Sequence, residues 1–462
     1  MKRIYTLFFA LFVAGPALAQ FNLGLHQFTG VPQSTFTNPA IMPQAKFFLG
    51  LPVVNSFYVN YYNPSFVLDD IIREVGDSSM LDFSKLYEER AGKTFSFNIE
   101  QQADLFHLGF RMGRKNFLSF GAYQVLQTRY SLPVDLLRLV QNGSLDPYFR
   151  DNPVSLNDID INVKAYLAYH VGYSREITKR LNVGVRFKYL SGAAGGQTEY
   201  AQGGINWQTD SLVVTNNFRY NASNLNTLGG GGNLDVMNLA FSPGNNGTAF
   251  DFGLAYKITK RLMISASVTD LGSIRWANDL TSLVSDSGSF TYRGGSVNVG
   301  ENDNGDPFSG VADSLSTAFK INRVEPGKEF TTQLNTRYLV SASYEFLKGN
   351  QLGVIFSGNR YSDAFYPAFT AFYQSNIWNL LYLRANYTVS PGSFDNLGGA
   401  LAVKLGPVQV YTVADNLLAL GNQGNVSTFN IRLGLNILFG MRGYKDKTPV
   451  IEDVEVFDAG DL

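Results

Sequence analysis

Asp158-Ile159-Asp160-Ile161-Asn162-Val163-Lys164-Ala165-Tyr166-Leu167-Ala168-Tyr169-His170-Val171-Gly172-Tyr173-Ser174 is the stretch whose reading decides the fold. Every second residue from Ile159 to Tyr173 is apolar or aromatic. Those between, Asp158, Asp160, Asn162, Lys164, Tyr166, Ala168, His170, Gly172 and Ser174, are mostly polar, small or charged. Successive side chains of a strand point to opposite faces, so this is one long strand with an apolar face and a wet one. After a turn at 175–180 the alternation resumes. Leu181, Val183, Val185, Phe187 and Tyr189 share one face, and Asn182, Gly184, Arg186 and Lys188 the other. A strand of a soluble sandwich also has one buried face. Three features oppose that reading. The run far exceeds the usual five or six residues. Tyr169 and Tyr173 fall near the turn, where a membrane girdle places aromatics, and charges of both signs line the second face, as in a water-filled or plugged lumen. The pattern predicts an all-β chain folded as a transmembrane, antiparallel up-and-down barrel.

Composition agrees. Charged residues make up 16% of the 462, against roughly 25% in ordinary globular proteins. Aromatics reach 14%, and there are 45 glycines. A net charge of −1 offers nothing to nucleic acid. Without cysteine there is no disulfide framework, thiolate metal site or cysteine nucleophile. His26, His107 and His170 are the only histidines, so no cofactor or metal is expected. The N-terminus reads as a secretory signal over 1–19: Lys2 and Arg3, an apolar run from Ile4 to Val13, and Ala17-Leu18-Ala19 as cleavage site. No later stretch has the ~18 apolar residues of a spanning helix. The expected home is the outer membrane, as an integral protein in contact with its lipid.

The same alternation predicts strands at 46–62, 94–112, 117–130, 158–174, 181–192, 249–257, 262–270, 330–346, 351–360, 365–374, 378–389, 397–405, 408–415 and 428–439. That makes about fourteen, an even number. Short connections fall at 113–116, 175–180, 258–261, 347–350, 375–377 and 406–407. All the long ones, 63–93, 131–157, 193–248 and 271–329, fall in the alternate set. Short periplasmic turns and long extracellular loops are the rule for such barrels. Within the loops, 67–72, 81–89 and 133–140 read as short helices, and 195–220 as a hairpin above the membrane. Ile177-Thr178-Lys179-Arg180-Leu181 recurs as Ile258-Thr259-Lys260-Arg261-Leu262, which reads as two hairpins under one turn constraint. The barrel is thus assigned to 46–440. Residues 20–45, with Pro32, Pro39 and Pro43, are expected to form a plug in the lumen. Residues 441–462, basic then acidic, are expected to be a periplasmic tail.

Little of this carries reaction chemistry. There is no Gly-x-Ser-x-Gly elbow, P-loop or His-Glu-x-x-His. The chain reads as a non-enzyme, with no catalytic residues. The run Asn302-Asp303-Asn304-Gly305-Asp306 lacks EF-hand spacing and reads as a solvated loop. The candidate lumen-facing polar residues are Asp158, Asp160, Lys164, His170, Arg186 and Lys188; Asp158, Asp160, Lys164, Arg186 and Lys188 are taken as one mixed-charge patch.

With Thr37-Asn38-Pro39-Ala40 in a plug-like segment ahead of fourteen strands, the chain resembles the FadL-like superfamily of outer-membrane barrels, which includes the PorV-type barrels of type IX secretion. Val268 to Trp276, Gly406 to Tyr411 and Asp415-Asn416-Leu417 look like a Bacteroidota barrel family of unassigned function, near the PorP/SprF-type proteins. The resemblance implies that Asn38, Pro39 and Ala40 sit in a lumenal hatch. It also implies that the barrel binds or passes a hydrophobic small molecule. For that, Phe66, Phe83, Tyr87, Tyr148 and Phe149 are expected to line an apolar pocket. The alternative is a non-enzymatic accessory barrel for type IX secretion, gliding or surface-protein assembly, with secretion or surface proteins as partners. The long Asn/Gly-rich loops, the tail and the non-terminal Phe439 depart from the fatty-acid transporters.

Overall fold

The alternation of side chains sets the wall. In the computed structural model, described for residues 23–50, 55–63, 65–75, 78–143, 146–208, 211–224, 244–285, 288–292, 320–361, 364–390, 393–418 and 428–440, fourteen antiparallel strands close on themselves. They are β1 (Phe47–Gly50, resuming at Phe57–Tyr62), β2 (Thr94–Met112), β3 (Asn116–Pro133), β4 (Asp160–Glu176), β5 (Leu181–Gln208), β6 (Asn246–Lys257) and β7 (Leu262–Trp276). Then come β8 (Phe330–Gln333 and Thr336–Leu347), β9 (Asn350–Tyr361), β10 (Ala364–Ile377), β11 (Leu381–Ser390), β12 (Ser393–Leu405), β13 (Val408–Ala414) and β14 (Thr428–Phe439). Each pairs with the next. β14 then returns to β1, with Phe47 opposite Phe439 and Val59 opposite Ile431. A closed ring leaves no unpaired sheet edge, which is what a wall in lipid requires.

The two faces are sorted in the sense opposite to a soluble sheet. Outward residues such as Val185, Phe187, Phe252, Leu254, Val340 and Phe356 are apolar and exposed. Inward residues include Glu100, Gln102, Lys164, Arg186, Lys188, Asp251, Thr370, Asn386 and Arg432, and these are buried. An apolar outside around a polar inside suits lipid and excludes the soluble sandwich.

Short turns gather at one end and long connections at the other. At the turn end, the repeated Ile-Thr-Lys-Arg-Leu runs form the same structure. Thr178 Oγ1 accepts from the amides of Arg180 and Leu181 at 3.2 and 3.0 Å, and Thr259 Oγ1 from those of Arg261 and Leu262 at 3.1 and 2.9 Å. The echo is turn chemistry. At the loop end, α1 (Leu68–Ile71), α2 (Ser84–Glu89) and α3 (Val134–Asn142) fall where short helices are expected. β5 runs on past 192 to pair with Ser211–Ser223. That strand pairs in turn with Leu280–Ser285 and Gly288–Tyr292, inside a region expected to be loop.

Two other expectations need correction. The first strand is interrupted: Gly50 faces Asn436 while Phe57 faces Leu433, so β1 holds more residues than its partner over that span. β7 continues to Trp276 because Asp270, at φ 61°, shifts the register. Thr269 points inward before it, Ile274 and Trp276 after it. The change of parity hides the continuation from a strict two-residue pattern. Residues 1–19, the loop runs 228–233 and 302–306, and the tail 441–462 lie outside the described residues. No described helix is long and apolar enough to cross a membrane.

Candidate functional site: the occupied lumen

Residues 23–45 run through the inside of the barrel. They form two 3-10 turns, Leu23–Leu25 and Pro32–Phe36, the second opened by proline at its first position, where a missing N–H costs nothing. A segment with so little regular structure leaves many backbone groups to be bonded by others. The wall supplies them. The Asp415 carboxylate accepts from the amides of Leu23 (3.1 Å) and Gly24 (2.7 Å). Arg186 Nη2 donates to the Thr35 carbonyl at 2.8 Å, Gln409 Nε2 to Gly30 at 2.8 Å, and Arg111 Nη2 to Pro43 at 2.6 Å. Arg384 Nη1 donates to the His26 carbonyl at 2.5 Å. Leu25, Phe28 and Val31 pack with Tyr382, Tyr411 and Val413.

Asn38, Pro39 and Ala40 lie flat against β4 to β7. Asn38 Oδ1 accepts from the Ala40 amide at 2.8 Å, closing a local turn, and its Nδ2 donates to the carbonyls of Leu254 (3.3 Å) and Ala266 (3.2 Å). Ser174 Oγ donates to the Pro39 carbonyl. Two wall glycines make the approach possible. A Cβ on Gly184 would sit 2.2 Å from the Pro39 carbonyl carbon, and one on Gly253 2.1 Å from Asn38 Oδ1.

The expected mixed-charge patch separates into three places. Asp158 lies in the turn before β4 and is exposed, off the inner wall. Asp160 pairs with Arg129 at 3.8 Å. Lys164 Nζ donates to the Gln333 carbonyl at 2.8 Å and to Asn335 Oδ1 at 3.3 Å. Arg186 and Lys188 belong to a deeper network. Arg186 pairs with Asp251 (3.2 Å), Lys188 with Asp251 (2.7 Å) and Asp270 (2.6 Å), and Arg337 with Asp270 (3.9 Å) and Glu100 (2.5 Å). His170 stands beside His107, ring centroids 5.3 Å apart. Phe36 of the N-terminal segment stacks on His107 at 4.7 Å and meets His170 edge-on at 5.9 Å. The histidine ring nitrogens make no hydrogen bond among the described residues, so the pair serves as packing for Phe36.

Sequence reasoning missed Asp251, Asp270, Asp415, Glu100 and Arg384. Asp251 was nonetheless legible in Ala249-Phe250-Asp251-Phe252-Gly253, as the one charge between two outward phenylalanines. The aromatic expectation is corrected too. Tyr87 packs with Ile71, Leu86, Phe95 and Val134, flanked by Phe66 and Phe83, while Phe149 packs with Leu136, Val154, Leu156, Ile205 and Val214, flanked by Tyr148. These residues fill two small cores of the loop end instead of lining a pocket.

A closed fourteen-strand barrel, apolar outside and hydrogen-bonded within, is an integral outer-membrane protein. The chain belongs to a family of unknown function (DUF5723), whose profile matches residues 39–415. Comparison with curated proteins finds no match. Among solved structures the chain is similar to a FadL homologue of Pseudomonas aeruginosa, at 11% identity and TM-score 0.42 over 92% of this chain and 99% of that one. It is also similar to the toluene transporter TodX of Pseudomonas putida, at 11% and 0.32 over 91% and 94%. A third is the translocator domain of the autotransporter NalP from Neisseria meningitidis, at 6% and 0.33 over 86% and 89%.

Proposed function

We propose that the protein is an outer-membrane channel of the FadL-like type in which residues 23–45 act as a hatch. A small molecule crosses by diffusion past it. The observation that carries this reading is a pair of lumenal cavities on either side of the segment. One, of about 350 Å³, lies at the loop end. The other, of about 320 Å³ and lined by Phe28, Thr29, Gly30 and Gln44 of the segment itself, lies at the turn end. The hatch is tied to the wall by separate side-chain hydrogen bonds, each worth only ~1 kcal/mol net. The wall needs none of them to close. Asn38, Pro39 and Ala40 are its docking point. By the length rule for connections, the short turns face the periplasm and the long loops the exterior.

The cargo implied by the resemblance is hydrophobic. The loop-end cavity is lined by Asn, Gln, Thr and charged residues, and the loop aromatics are already used in packing. This geometry favours a cargo with polar groups, amphipathic at least, over a wholly apolar one.

The test is single-channel conductance in planar bilayers of the full chain and of a variant lacking 23–45. The intact protein is expected to conduct little, and the deletion to raise conductance at least about tenfold, because hatch atoms fill the lumen. Equal conductance in both, with a stoichiometric protein co-purifying from outer membranes, would instead support the accessory role in type IX secretion, gliding or surface assembly.

A further inference from the structure

Strands β1 to β5 and β8 meet around the loop-end cavity of about 350 Å³. Five of its side chains are more than nine-tenths buried: Asn60 (1% exposed), Asn98 (8%), Glu100 (5%), Gln127 (6%) and Lys164 (4%). The first four each carry a polar atom with no hydrogen-bond partner among the described residues: Asn60 Nδ2, Asn98 Oδ1, Glu100 Oε2 and Gln127 Oε1. Buried polar atoms are nearly always bonded, so four unpaired around one cavity point to a ligand. The charges of the lining are already engaged. Glu100 Oε1 is bound by Arg337, Arg129 faces Asp160, Lys164 caps the Gln333 carbonyl and Asn335 Oδ1 at the break in β8, and Glu199 is held by Lys328.

We propose that this chamber is a binding site for an uncharged, hydroxyl-rich solute, a sugar or related polyol. Three of the unpaired atoms accept and one donates, and the carboxamides can turn either end to a ligand. A hydroxyl donates and accepts without carrying charge, so it satisfies either arrangement. A cation would meet Lys164 and Arg129, and an anion Glu100, Asp160 and Glu199. An alkyl chain would leave all four atoms unpaired and out of water. The volume lies within the ~300–1,000 Å³ that accommodates small ligands. Glu100 and Gln127 also line a narrower space of about 30 Å³ beneath, shared with Phe36 and Thr37. That narrower space separates the chamber from the N-terminal segment, and the inference rests on the channel reading only in making the bound solute its cargo.

The experiment is isothermal titration of the full-length protein in detergent with maltose, glucose, sorbitol and decanoate. Folding of each sample is checked by heat-modifiable migration on a gel. Maltose, glucose or sorbitol is expected to bind at one site. Asn98→Leu and Gln127→Leu are each expected to weaken it at least about tenfold, the loss of a buried hydrogen bond with its partner left unpaired. Exposed Lys179→Ala is expected to leave it unchanged. Should a leucine variant not fold, the near-isosteric Gln127→Glu tests the same contact. Decanoate binding with no saccharide or polyol binding overturns the proposal, as does sugar binding indifferent to the chamber variants. Sugar binding without sugar flux into proteoliposomes would defeat the channel reading and leave the site standing. Flux of an apolar probe with no sugar binding would do the reverse.

Discussion

Asn38 bonds its own turn and two strands of the wall with a single carboxamide. Asn38→Ala removes three hydrogen bonds at once, two of them to carbonyls already serving the sheet. At ~1 kcal/mol each, the expected loss is about 2–3 kcal/mol, read from equilibrium urea unfolding of the detergent-solubilised barrel. A loss below about 0.5 kcal/mol would mean that the segment is not docked there in solution. Gly253→Val tests the other side of the contact. Its Cβ would meet Asn38 Oδ1 at 2.1 Å and the Ala40 amide at 2.9 Å, so the N-terminal segment must move. Protease cleavage within 23–45 is expected to appear in the variant and be absent from the parent chain. The Asn-Pro-Ala stretch was visible in the sequence as a motif, but its glycine seats were not. Nothing local marks Gly184 and Gly253 as facing it, because the contact spans more than a hundred residues of chain.

Among the elements, strands were easier to read than the bonds between them. A strand's wet face is written in its own alternation, and β4 to β6 were legible for that reason. Which wet residues meet depends on closure, so Lys188 could be placed on the inner wall but not matched to Asp251 and Asp270. Bulges cost further information. The shift between Asp104 and Phe106 in β2 puts Glu100 and His107 on the same inner face despite an odd spacing. The loop helices, read from short apolar runs, turn out to carry their own charged clasp. Arg138, on α3, lies over the rings of Tyr87 and Tyr148 at 5.0 and 4.0 Å. Its Nε and Nη2 donate to Asp146 at 2.7 and 3.1 Å. This bond holds the Asp146 carboxyl down at about 2, against the usual 3.8. A carboxyl depressed on folding stabilises above its ordinary value and stops doing so as pH falls through the folded one. The loop clasp is therefore expected to loosen between pH 4 and pH 2. Fluorescence of Trp207, which packs against the small core containing Phe149, reports it in a variant with Trp276 and Trp378 replaced by Phe. Arg138→Gln is expected to move the transition up toward the ordinary carboxylate value, and an unmoved midpoint would remove Arg138 as its cause.

The whole molecule is arranged around two solvents, lipid outside and a hydrogen-bonded interior that stands in for water. That arrangement explains why one hairpin, 158–190, was enough to predict the barrel, while the size and lining of its inner cavities were not predictable. The first is a property repeated in every strand. The second depends on how six strand ends and residues 23–45 share the lumen. It also makes the exterior the most exacting place for charge. Val340 and Phe356 lie opposite each other on β8 and β9, near mid-wall, and are 55% and 46% exposed. In a water-soluble protein, arginine at such exposed positions would change stability by less than about 0.5 kcal/mol. In a barrel wall, Val340→Arg is expected to cost about 2–4 kcal/mol if the site lies at the bilayer midplane. The same substitution at Leu347, beside a short turn and 62% exposed, is expected to cost no more than about 1 kcal/mol, because the side chain reaches the interface. Unfolding titrations in phospholipid vesicles read both values. A steep difference between the two positions places the lipid boundary on this surface, and equal small costs at both would mean that water, not lipid, covers the wall.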